Sequence, residues 1–269
     1  MKTLIIIQAR TGSSRLPNKV MLPLAGKPLL QRMIERVQAS KCRNEMVVAT
    51  SIEPEDDPIR DLCRSIGVRC YSGHPTDLLE RHYQAALREG ADIVVKIPSD
   101  CPMIDPAVID RVVEFHRTHP ALFDFVSNLH PATYPDGNDV EVMSMEVLEC
   151  ARREAVKDYE REHTTPFIWE QPGRFKLGSV LWETGLNYSM SHRWTIDYPE
   201  DYLFIKSVYD ELWRRSPGVF SINDVLQLLK ERPELARINE RYAGVNWYRN
   251  HINELRTISS AETKHLVHQ

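Results

Sequence analysis

The sequence predicts an α/β fold built around a mostly parallel, doubly wound sheet. Strand-like runs alternate with helical patterns through the first half of the chain. These runs are rich in Ile and Val and lack a clean polar alternation, which is typical of strands that helices cover on both faces. A repeated strand-helix-strand order of this kind implies parallel strands joined by right-handed crossovers.

The strands can be placed from their Ile and Val content. Four are expected in the first half of the chain, at residues 3–9, 46–50, 68–72 and 92–98. Two extended runs follow at 123–128 and 139–144, with the polar, turn-rich stretch NLHPATYPDGNDV around the gap between them. The stretch RWTID, residues 193–197, predicts one further strand that returns to the sheet.

Proline, threonine and glycine mark the expected ends of the helices. Pro28, Pro58 and Pro106 suit the first turn of a helix, where a missing backbone N–H costs little. Thr76 is the expected N-cap, and Gly90 the expected C-cap, of the helix that lies between them. Further helices are expected at 147–155, 199–213 and 222–235.

The chain is expected to form one main domain with a tail. The domain covers residues 1–215 and includes a lobe around 123–180, and residues 216–269 are expected to form a helical appendage. The helix after RWTID is expected to be capped by Asp197 or to begin at Pro199. The sequence contains no internal repeat and no low-complexity linker.

Composition and charge exclude several classes of function. A net charge of -4, with 42% apolar and 27% charged residues, provides no reason to bind nucleic acid or an anionic membrane. The apolar run in the opening MKTLIIIQAR is too short for a signal peptide. No stretch approaches the ~20 apolar residues of a membrane span. We therefore expect neither a nucleic-acid partner nor a membrane partner.

The cysteines indicate a reducing compartment. The chain contains no CxxC pair and no zinc-like spacing among Cys42, Cys63, Cys70, Cys101 and Cys150. An odd number of scattered thiols is typical of a cytoplasmic protein. Cys101 lies inside a motif discussed below, and we expect it to be a packed structural thiol.

The loop QARTGSSRLPNK, residues 8–19, follows the first predicted strand and carries three cations. In an open parallel sheet, ligands bind beyond the carboxyl ends of the strands. Gly12 permits close approach of the backbone to an anion, while Arg10, Arg15 and Lys19 supply positive charge for phosphate oxygens. The loop fits neither GxxxxGK[ST] nor GxGxxG. It therefore indicates a phosphate-binding loop of another kind, with an ordinary basic turn as the alternative.

Two aspartates follow predicted strands at the same edge of the sheet. Asp100 lies in IPSDCPMIDP and Asp197 in RWTIDYPED. A lone aspartate in such a place is often a helix cap. Beside a phosphate-binding loop, two carboxylates also suit Mg²⁺, which usually takes only one or two of them from a protein. Glu200 and Asp201 are interpreted as first-turn charges of the following helix.

These residues resemble those of a known family. QARTGSSRLPNKVMLPLAGKPLL resembles the N-terminal signature of the sugar cytidylyltransferases, which activate 3-deoxy-manno-octulosonate and sialic-type acids as CMP esters. LERHYQAA, IPSDCPMIDP, DGNDVEV, REHTTPFI and RWTIDYPED are similar to motifs of the branch named after spore coat polysaccharide biosynthesis protein F. The resemblance covers residues 1 to about 205.

The resemblance implies a Rossmann-like, GT-A-like nucleotidyltransferase fold, a three-layer sandwich with a small inserted lobe. It also implies that the nucleotide CTP is held by Gln8, Ala9, Arg10, Gly12, Ser13, Arg15, Lys19, Arg81 and Ser99. Asp100 and Asp197 are then the ligands of a Mg²⁺ cofactor. Arg10 and Lys19 act in catalysis together with these two aspartates.

The resemblance further implies an acidic small-molecule acceptor, bound by Asp136, Asn138, Glu141, Arg161, His163 and Arg193. Arg161 and Arg193 suit an acceptor carboxylate or phosphate. A salt-bridged lobe without a binding role is the alternative for each of these residues. The family often has Arg where this chain has Lys96, which lacks the fork of a guanidinium. The lobe around 123–180 is expected to serve the acceptor and the contact of a homodimer.

The reaction expected from this resemblance is attack by an acceptor oxygen on the α-phosphorus of CTP, with release of pyrophosphate. The product, a CMP ester of a sugar acid, serves surface polysaccharide or glycoconjugate biosynthesis. Three alternatives stay open: CMP transfer to a phosphorylated small molecule of the phosphoglutamine type, an inverting glycosyltransferase that uses a nucleotide sugar, and a non-catalytic nucleotide-binding subunit. Glycosyltransferases of that kind usually carry a DxD metal motif, which PSDCP lacks.

Overall fold

A seven-stranded sheet forms the centre of the protein in the computed structural model, which describes residues 1–42 and 45–266. The strands are β1 (Thr3–Gln8), β2 (Pro23–Leu24), β3 (Lys27–Pro28), β4 (Met46–Ser51), β5 (Arg69–Gly73), β6 (Ile93–Pro98), β7 (Phe125–Ser127), β8 (Glu141–Ser144) and β9 (Leu177–Ser179). Their order in the sheet is β5-β4-β1-β6-β8-β7-β9, while β2 and β3 pair separately. Only β8 runs antiparallel to its neighbours in this sheet, so the prediction of a mostly parallel sheet is confirmed.

Helices cover this sheet on both faces. They are α1 (Leu29–Gln38), α2 (Asp57–Ser65), α3 (Leu78–Glu89), α4 (Pro106–Thr118), α5 (Met145–Glu154), α6 (Asp158–His163), α7 (Pro166–Trp169), α8 (Pro199–Arg215), α9 (Ile222–Glu231) and α10 (Pro233–Ala236). On β1, Ile5 and Ile7 face a core that includes α1, α2, α4, α8 and α9. Leu4 and Ile6 face a second core with α3, α5 and α7. The predicted three-layer α/β sandwich is thereby confirmed.

The stretch RWTID is not a strand, contrary to the prediction. Residues 193–197 form one isolated bridge, in which Asp136 pairs with Arg193. The rest of the stretch is tied to a loop, because the Ile196 amide donates to the Asp100 carbonyl at 2.9 Å and the Thr195 hydroxyl donates to the same carbonyl at 3.0 Å. Asp197 therefore reaches the carboxyl edge of the sheet without ending a strand.

Two predicted helix caps also differ from the structure. The N-cap of α3 is Asp77, whose side chain accepts from the Glu80 amide, and not Thr76. The N-cap of α8 is Tyr198 and not Asp197, although the predicted start at Pro199 is confirmed. Gly90 does end α3, with a left-handed φ of 63° that glycine adopts without cost.

The topology creates a crevice between β1 and β6. From β1 the chain moves first to β4 and β5 on one side, and then returns to β6 on the other side. The loops that leave β1 and β6 consequently diverge, and a crevice opens at the carboxyl ends of these strands. This is where residues 9–19 and 99–105 lie.

The C-terminal region is helical only in its first part. After α9 and α10, the residues to 262 contain short 3-10 turns, and they pack against the main domain. Leu255 and Ile258 are buried in the second core, and Glu170 accepts from the Thr257 amide at 2.9 Å. No described helix combines the length and apolar composition needed to cross a membrane.

Candidate active site

A cavity of about 500 Å³ opens at the carboxyl edge of the sheet. Gln8 and Pro98, the last residues of β1 and β6, line it. Glu141 also lines it because antiparallel β8 begins at this edge. Of the predicted site residues, the cavity brings together Gln8, Arg15, Asp100, Asp136, Asn138, Glu141, His163, Arg193 and Asp197. One cavity therefore holds residues expected on the nucleotide side and on the acceptor side.

The loop after β1 is anchored by a buried carboxylate, Asp56, which stands at the start of α2. The Thr11 amide and the Thr11 hydroxyl each donate to Asp56 Oδ1 at 2.8 Å. Asp56 Oδ2 accepts from the Thr50 hydroxyl at 2.9 Å and from the Ser51 amide at 3.0 Å. Burial raises the pKa of Asp56, but these hydrogen bonds outweigh burial and hold the pKa below its ordinary value.

Lys19 stands between the two predicted metal ligands. Its ammonium lies 3.1 Å from Asp197 Oδ1 and 3.8 Å from Asp100 Oδ2, and it donates to the Ile196 carbonyl at 2.6 Å. Both carboxylates thus face the same point. Because carboxylate oxygens are the donors that Mg²⁺ prefers, the donor set fits that ion. No group of three or more His, Cys, Asp or Glu side chains in residues 1–42 and 45–266 forms a metal-binding cluster.

Asp197 is the most strongly stabilised anion of this group. Arg15 Nη2 lies 2.8 Å from its Oδ1, and Arg193 Nη2 donates to its Oδ2 at 3.1 Å. Burial raises the pKa of Asp197, but the charges of Lys19, Arg15 and Arg193 outweigh burial and hold the pKa far below its ordinary value. Asp197 is therefore a permanent carboxylate at neutral pH.

Arg193 lines the cavity, but its guanidinium already donates hydrogen bonds to other groups of the protein. It forms a forked pair with the buried Asp201, at 2.9 and 3.1 Å, and donates to the Val245 carbonyl at 2.6 Å. Asp136 lies 3.5 Å away on the same guanidinium. Asp201 is also more than a first-turn helix charge, because it is fully buried and accepts from the Asp197 amide at 3.0 Å. Arg193 thus fixes the site and has little capacity left for an acceptor.

The DGNDVEV segment passes against RWTID at close range. At Gly137, with φ of 106°, an added Cβ would lie 2.7 Å from the Trp194 carbonyl carbon and 2.8 Å from the Thr195 nitrogen. The Asn138 side chain accepts from the Asp105 amide at 3.0 Å and donates to the Pro135 carbonyl at 3.1 Å. Asn138 therefore holds this segment in place, and these bonds engage one donor and one acceptor of its side-chain amide.

Carboxylates crowd the inner end of the cavity. Burial and the nearby charge of Asp100 raise the pKa of Asp139 to about 7. Burial also raises the pKa of Asp136 well above its usual range, although Arg193 opposes this shift. Glu141 is compensated by an ion pair with Lys96. The carboxylates at the inner end of the cavity thus favour the binding of protons or cations.

Aromatic rings line a further part of the cavity. The rings of His163 and Trp247 stack with centroids 3.8 Å apart, and Trp247 contacts Tyr248 at 4.7 Å. Burial and the charge of Lys96 lower the pKa of His163 to about 3, so this ring is neutral. We name residues 244–250, together with Ser259, Ala261 and Glu262, the C-terminal wall, since all of them line the cavity.

Several predicted site residues do not line the cavity. On the nucleotide side these are Ala9, Arg10, Gly12, Ser13, Lys19, Arg81 and Ser99, of which Lys19 contacts two residues that do. An added Cβ at Gly12 would meet no atom of the described residues within 4 Å, so no close approach to those atoms requires glycine there. Arg10 is half-exposed, with Nη2 at 4.0 Å from Glu162. Burial and the charge of Arg10 lower the pKa of Arg81 to about 10, and the Arg81 guanidinium donates to the carbonyls of His74 and Pro75.

Arg161, predicted to bind the acceptor, lies outside the cavity. Its Nε donates to Asp77 Oδ2 at 2.8 Å, and its Nη1 donates to the Arg152 carbonyl at 2.6 Å. The side chain therefore ties α6 to the start of α3 and to α5. The salt-bridged alternative describes Arg161 better than a binding role does.

Two parts of the site are absent from the sequence-based prediction. Asp56 lies in the acidic run EPEDD, which resembles an ordinary helix start. The C-terminal wall lies in a tail that was expected to be helical, although NWYRN, residues 246–250, combines aromatic and polar residues without helical periodicity. That mixture is the one local signal that could have marked the wall.

Comparisons with known proteins identify the family to which the chain belongs. A family model described as cytidylyltransferase matches residues 4–230. Spore coat polysaccharide biosynthesis protein SpsF of Bacillus subtilis is 31% identical over 88% of this chain and 98% of that protein. An 8-amino-3,8-dideoxy-manno-octulosonate cytidylyltransferase of Shewanella amazonensis is 33% identical over 47% of this chain and 52% of that enzyme.

A solved structure shows the same architecture. The structure of a cytidylyltransferase from Leptospira borgpetersenii is 33% identical in sequence, covers 88% of this chain and 97% of its own, and matches with a TM-score of 0.82. The resemblance stated from the motifs is confirmed, and the family match ends before the C-terminal wall. The chain belongs to the cytidylyltransferase family and is a nucleotidyltransferase.

Proposed function

We propose that the protein transfers CMP from CTP to a sugar acid and releases pyrophosphate, in the biosynthesis of a surface polysaccharide or glycoconjugate. The observation that carries this proposal is the meeting of Arg15, Lys19 and two carboxylates at one end of a cavity. The rest of this cavity, which has a volume of about 500 Å³, is lined by polar and aromatic groups. Such a cavity has room for a nucleotide and an acceptor side by side.

The choice of CTP is supported by Gln8. Its side-chain oxygen Oε1 is buried and has no hydrogen-bond partner among the described residues. A buried acceptor without a donor is costly, so a ligand that supplies an N–H group is favoured at this place. The exocyclic amino group of cytosine is a donor of that kind, whereas the corresponding group of uracil is an acceptor.

In the proposed reaction, a hydroxyl oxygen of the acceptor forms a bond to the α-phosphorus of CTP. The bond between that phosphorus and the oxygen bridging to the β-phosphate breaks, and both electrons leave with pyrophosphate. The hydroxyl proton passes to a base or to solvent. Because negative charge grows on the leaving group, fixed cations near it lower the barrier. In this proposal Arg15 and Lys19 supply that charge, and Arg10 lies on the same loop.

Asp100 and Asp197 would hold Mg²⁺, since both carboxylates face one point and offer hard oxygen donors. When bound, the ion supplies Lewis-acid polarisation of a phosphoryl oxygen. Arg193 and Asp201 keep Asp197 oriented through the forked pair described above. Lys19 would then be displaced from between the carboxylates toward the phosphates that the loop binds.

We also infer a cytoplasmic enzyme that acts as a homodimer. All five cysteines are free thiols, which agrees with a reducing compartment. Light scattering of the purified protein measures the oligomeric state directly. A monomer at working concentration would contradict the dimer and leave the reaction untouched.

The test of the reaction is a pyrophosphate-release assay with Mg²⁺. Four nucleoside triphosphates are crossed with a panel of sugar acids, including 3-deoxy-manno-octulosonate and its 8-amino analogue, and with phosphorylated small molecules. We expect release with CTP and a sugar acid only. Release with a phosphomonoester alone would assign the phosphoglutamine-type reaction instead, and an equal kcat/KM for GTP would contradict the choice of CTP.

A further inference from the structure

Arg249 is a basic residue of the cavity that has no acidic partner in the described part of the chain. The Lys and Arg side chains that line the described cavity are four, and three of them face a carboxylate, in the pairs Arg15–Asp197, Lys96–Glu141 and Arg193–Asp201. Arg249 makes no ion pair within residues 1–42 and 45–266. A cation in a partly buried cavity without a counterion favours an anionic ligand.

The guanidinium of Arg249 is held in place and still has donors to offer. Its Nη1 donates to the Asn246 carbonyl at 2.9 Å, and its Nη2 donates to the Tyr198 hydroxyl at 3.3 Å. A guanidinium carries five N–H donors, so most of them remain for a ligand. Tyr198 follows Asp197 directly in the chain, which places the Arg249 guanidinium next to the phosphoryl-transfer end of the cavity.

The wall that carries Arg249 is fixed by long-range hydrogen bonds. Arg193 donates to the Val245 carbonyl at 2.6 Å, the Asn246 side chain donates to the Glu262 carbonyl at 2.8 Å, and the Lys264 amide donates to the Gly244 carbonyl at 2.8 Å. A guanidinium on such a segment loses little conformational entropy when a ligand binds. The wall is therefore a binding surface that exists before the ligand arrives.

We propose that Arg249 binds the carboxylate of the acceptor. This inference rests on the proposed function, and it places acceptor recognition in a segment beyond residues 4–230, which the family model matches. Arg193 and Arg161, which the sequence favoured for this task, are engaged by Asp201 and Asp77. A planar guanidinium also matches a carboxylate with two parallel hydrogen bonds.

Arg249 is assigned to the acceptor and not to the triphosphate because of the wall on which it stands. The loop after β1 supplies Arg15 and Lys19 for the phosphates. Arg249 reaches the cavity from the C-terminal wall, beside Asn246 and Tyr248. The Tyr248 hydroxyl makes no hydrogen bond to the described protein, so it offers the same acceptor a second polar contact.

The test uses Arg249→Gln and Arg249→Lys, with Arg256→Gln as the matched control, since Arg256 is exposed on the same segment and does not line the cavity. The probe is 3-deoxy-manno-octulosonate, or whichever acid of the panel the wild type uses, and its methyl ester. Loss of a charge-assisted forked contact should raise the acceptor KM of Arg249→Gln about tenfold to a hundredfold. The dissociation constant of CTP, measured by titration calorimetry, should stay within about twofold, and Arg249→Lys should recover part of the loss.

The ester makes the assignment specific. Wild type should prefer the acid over its methyl ester, and Arg249→Gln should use the two nearly equally. An active wild type whose Arg249→Gln variant keeps the acceptor KM and the preference for the acid overturns this proposal alone. A variant that binds CTP weakly and the acceptor normally overturns it too, because the guanidinium then serves the nucleotide. A wild type that binds CTP but uses no acid of the panel overturns the proposed function as well.

Discussion

The amide and the hydroxyl of Thr11 both donate to one carboxylate oxygen of Asp56, each at 2.8 Å. The loop that is expected to bind phosphate therefore begins at a fixed point. Asp56 also accepts hydrogen bonds from Thr50 and Ser51 of β4, so it ties the loop after β1 to the neighbouring strand. Asp56 is not predicted to contact the nucleotide, but the geometry of the loop depends on it. It is therefore a positioning residue.

We expect Asp56→Asn to lower the free energy of unfolding at pH 7 by about 2 kcal/mol, since hydrogen bonds to a buried charge are worth roughly 1.5–3 kcal/mol. The effect should depend on pH. The folded pKa of Asp56 lies below its ordinary value, so its stabilisation is fully present above the unfolded pKa, about 3.9, and is lost as pH falls through the folded pKa. Urea unfolding from pH 7 to pH 3 measures the difference between wild type and variant.

The difference in the free energy of unfolding between wild type and Asp56→Asn should narrow below about pH 4. Asp61→Asn is the control, because Asp61 is an exposed residue of the same helix whose one ion pair among the described residues is with Arg64. A difference that stays constant over this range would mean that the carboxylate charge of Asp56 does not carry the anchoring. The KM for CTP should rise in Asp56→Asn as well, because the loop loses its fixed start.

Local patterns were sufficient to predict the central part of the fold. The buried strands β1, β4, β5 and β6 and the Gly90 cap depend on nearby residues, and their parallel order follows from connection rules. Asp100 and Asp197 were expected at one edge of the sheet for the same reason. Asp197 arrives there by a different route, because backbone hydrogen bonds to Asp100 replace the predicted strand.

The sequence could not assign partners to the arginines. Arg161 and Arg193 have the chemistry to bind a carboxylate, and which carboxylate each one meets is decided by tertiary packing. Asp77 lies 84 positions from Arg161 in the chain. Asp201 was interpreted as a first-turn charge of α8, and its pairing with Arg193 was therefore not predicted. The C-terminal wall was missed for the same reason, because long-range hydrogen bonds hold it, such as the one from Arg193 to the Val245 carbonyl, and no periodic pattern in the sequence marks it.

Loss of either predicted metal ligand should abolish most turnover. Asp100→Asn and Asp197→Asn should each reduce kcat by roughly 10²-fold or more, the scale for one electrostatic element of a transition state. Both should also shift the Mg²⁺ concentration that gives half-maximal activity to higher values. Pyrophosphate release during a Mg²⁺ titration measures both quantities, with Asp210→Asn, an exposed residue of α8 paired with Lys206, as the control.

The two variants should differ in stability. Asp197→Asn leaves Lys19, Arg15 and Arg193 without their shared anion, whereas Asp100 is contacted by Lys19 alone among these cations. Thermal unfolding should therefore show a lower Tm for Asp197→Asn than for Asp100→Asn. Normal activity with Mg²⁺ in either variant would remove that residue from the metal site.

Gly137 is expected to tolerate no side chain. Gly137→Ala would combine a left-handed φ of 106° with a Cβ at 2.7–2.8 Å from backbone atoms of Trp194 and Thr195. Backbone strain of this kind costs about 1–3 kcal/mol, and the contact must be relieved by moving RWTID, which carries Asp197. We expect a lower Tm together with a loss of kcat beyond what Gly173→Ala causes, since Gly173 is exposed and an added Cβ there would meet no described atom within 4 Å. Equal behaviour of the two variants would show that the close approach is not needed.

The last prediction concerns the cations of the loop. Arg15 is half-exposed, and among the described residues it forms an ion pair with Asp197 alone, so its guanidinium can turn toward a triphosphate. If it contacts the β- or γ-phosphate, Arg15→Ala should weaken the binding of CTP about tenfold to a hundredfold and leave the binding of CMP nearly unchanged, because CMP lacks those groups.

Lys19→Ala should weaken the binding of CTP as well and should also lower kcat, since Lys19 faces both carboxylates. Titration calorimetry with CTP and CMP measures binding, and the pyrophosphate-release assay measures kcat. Arg64→Ala, on the exposed surface of α2, is the control. Equal losses for CTP and CMP would mean that the cations act by shaping the loop, and no loss for either would make residues 8–19 an ordinary basic turn.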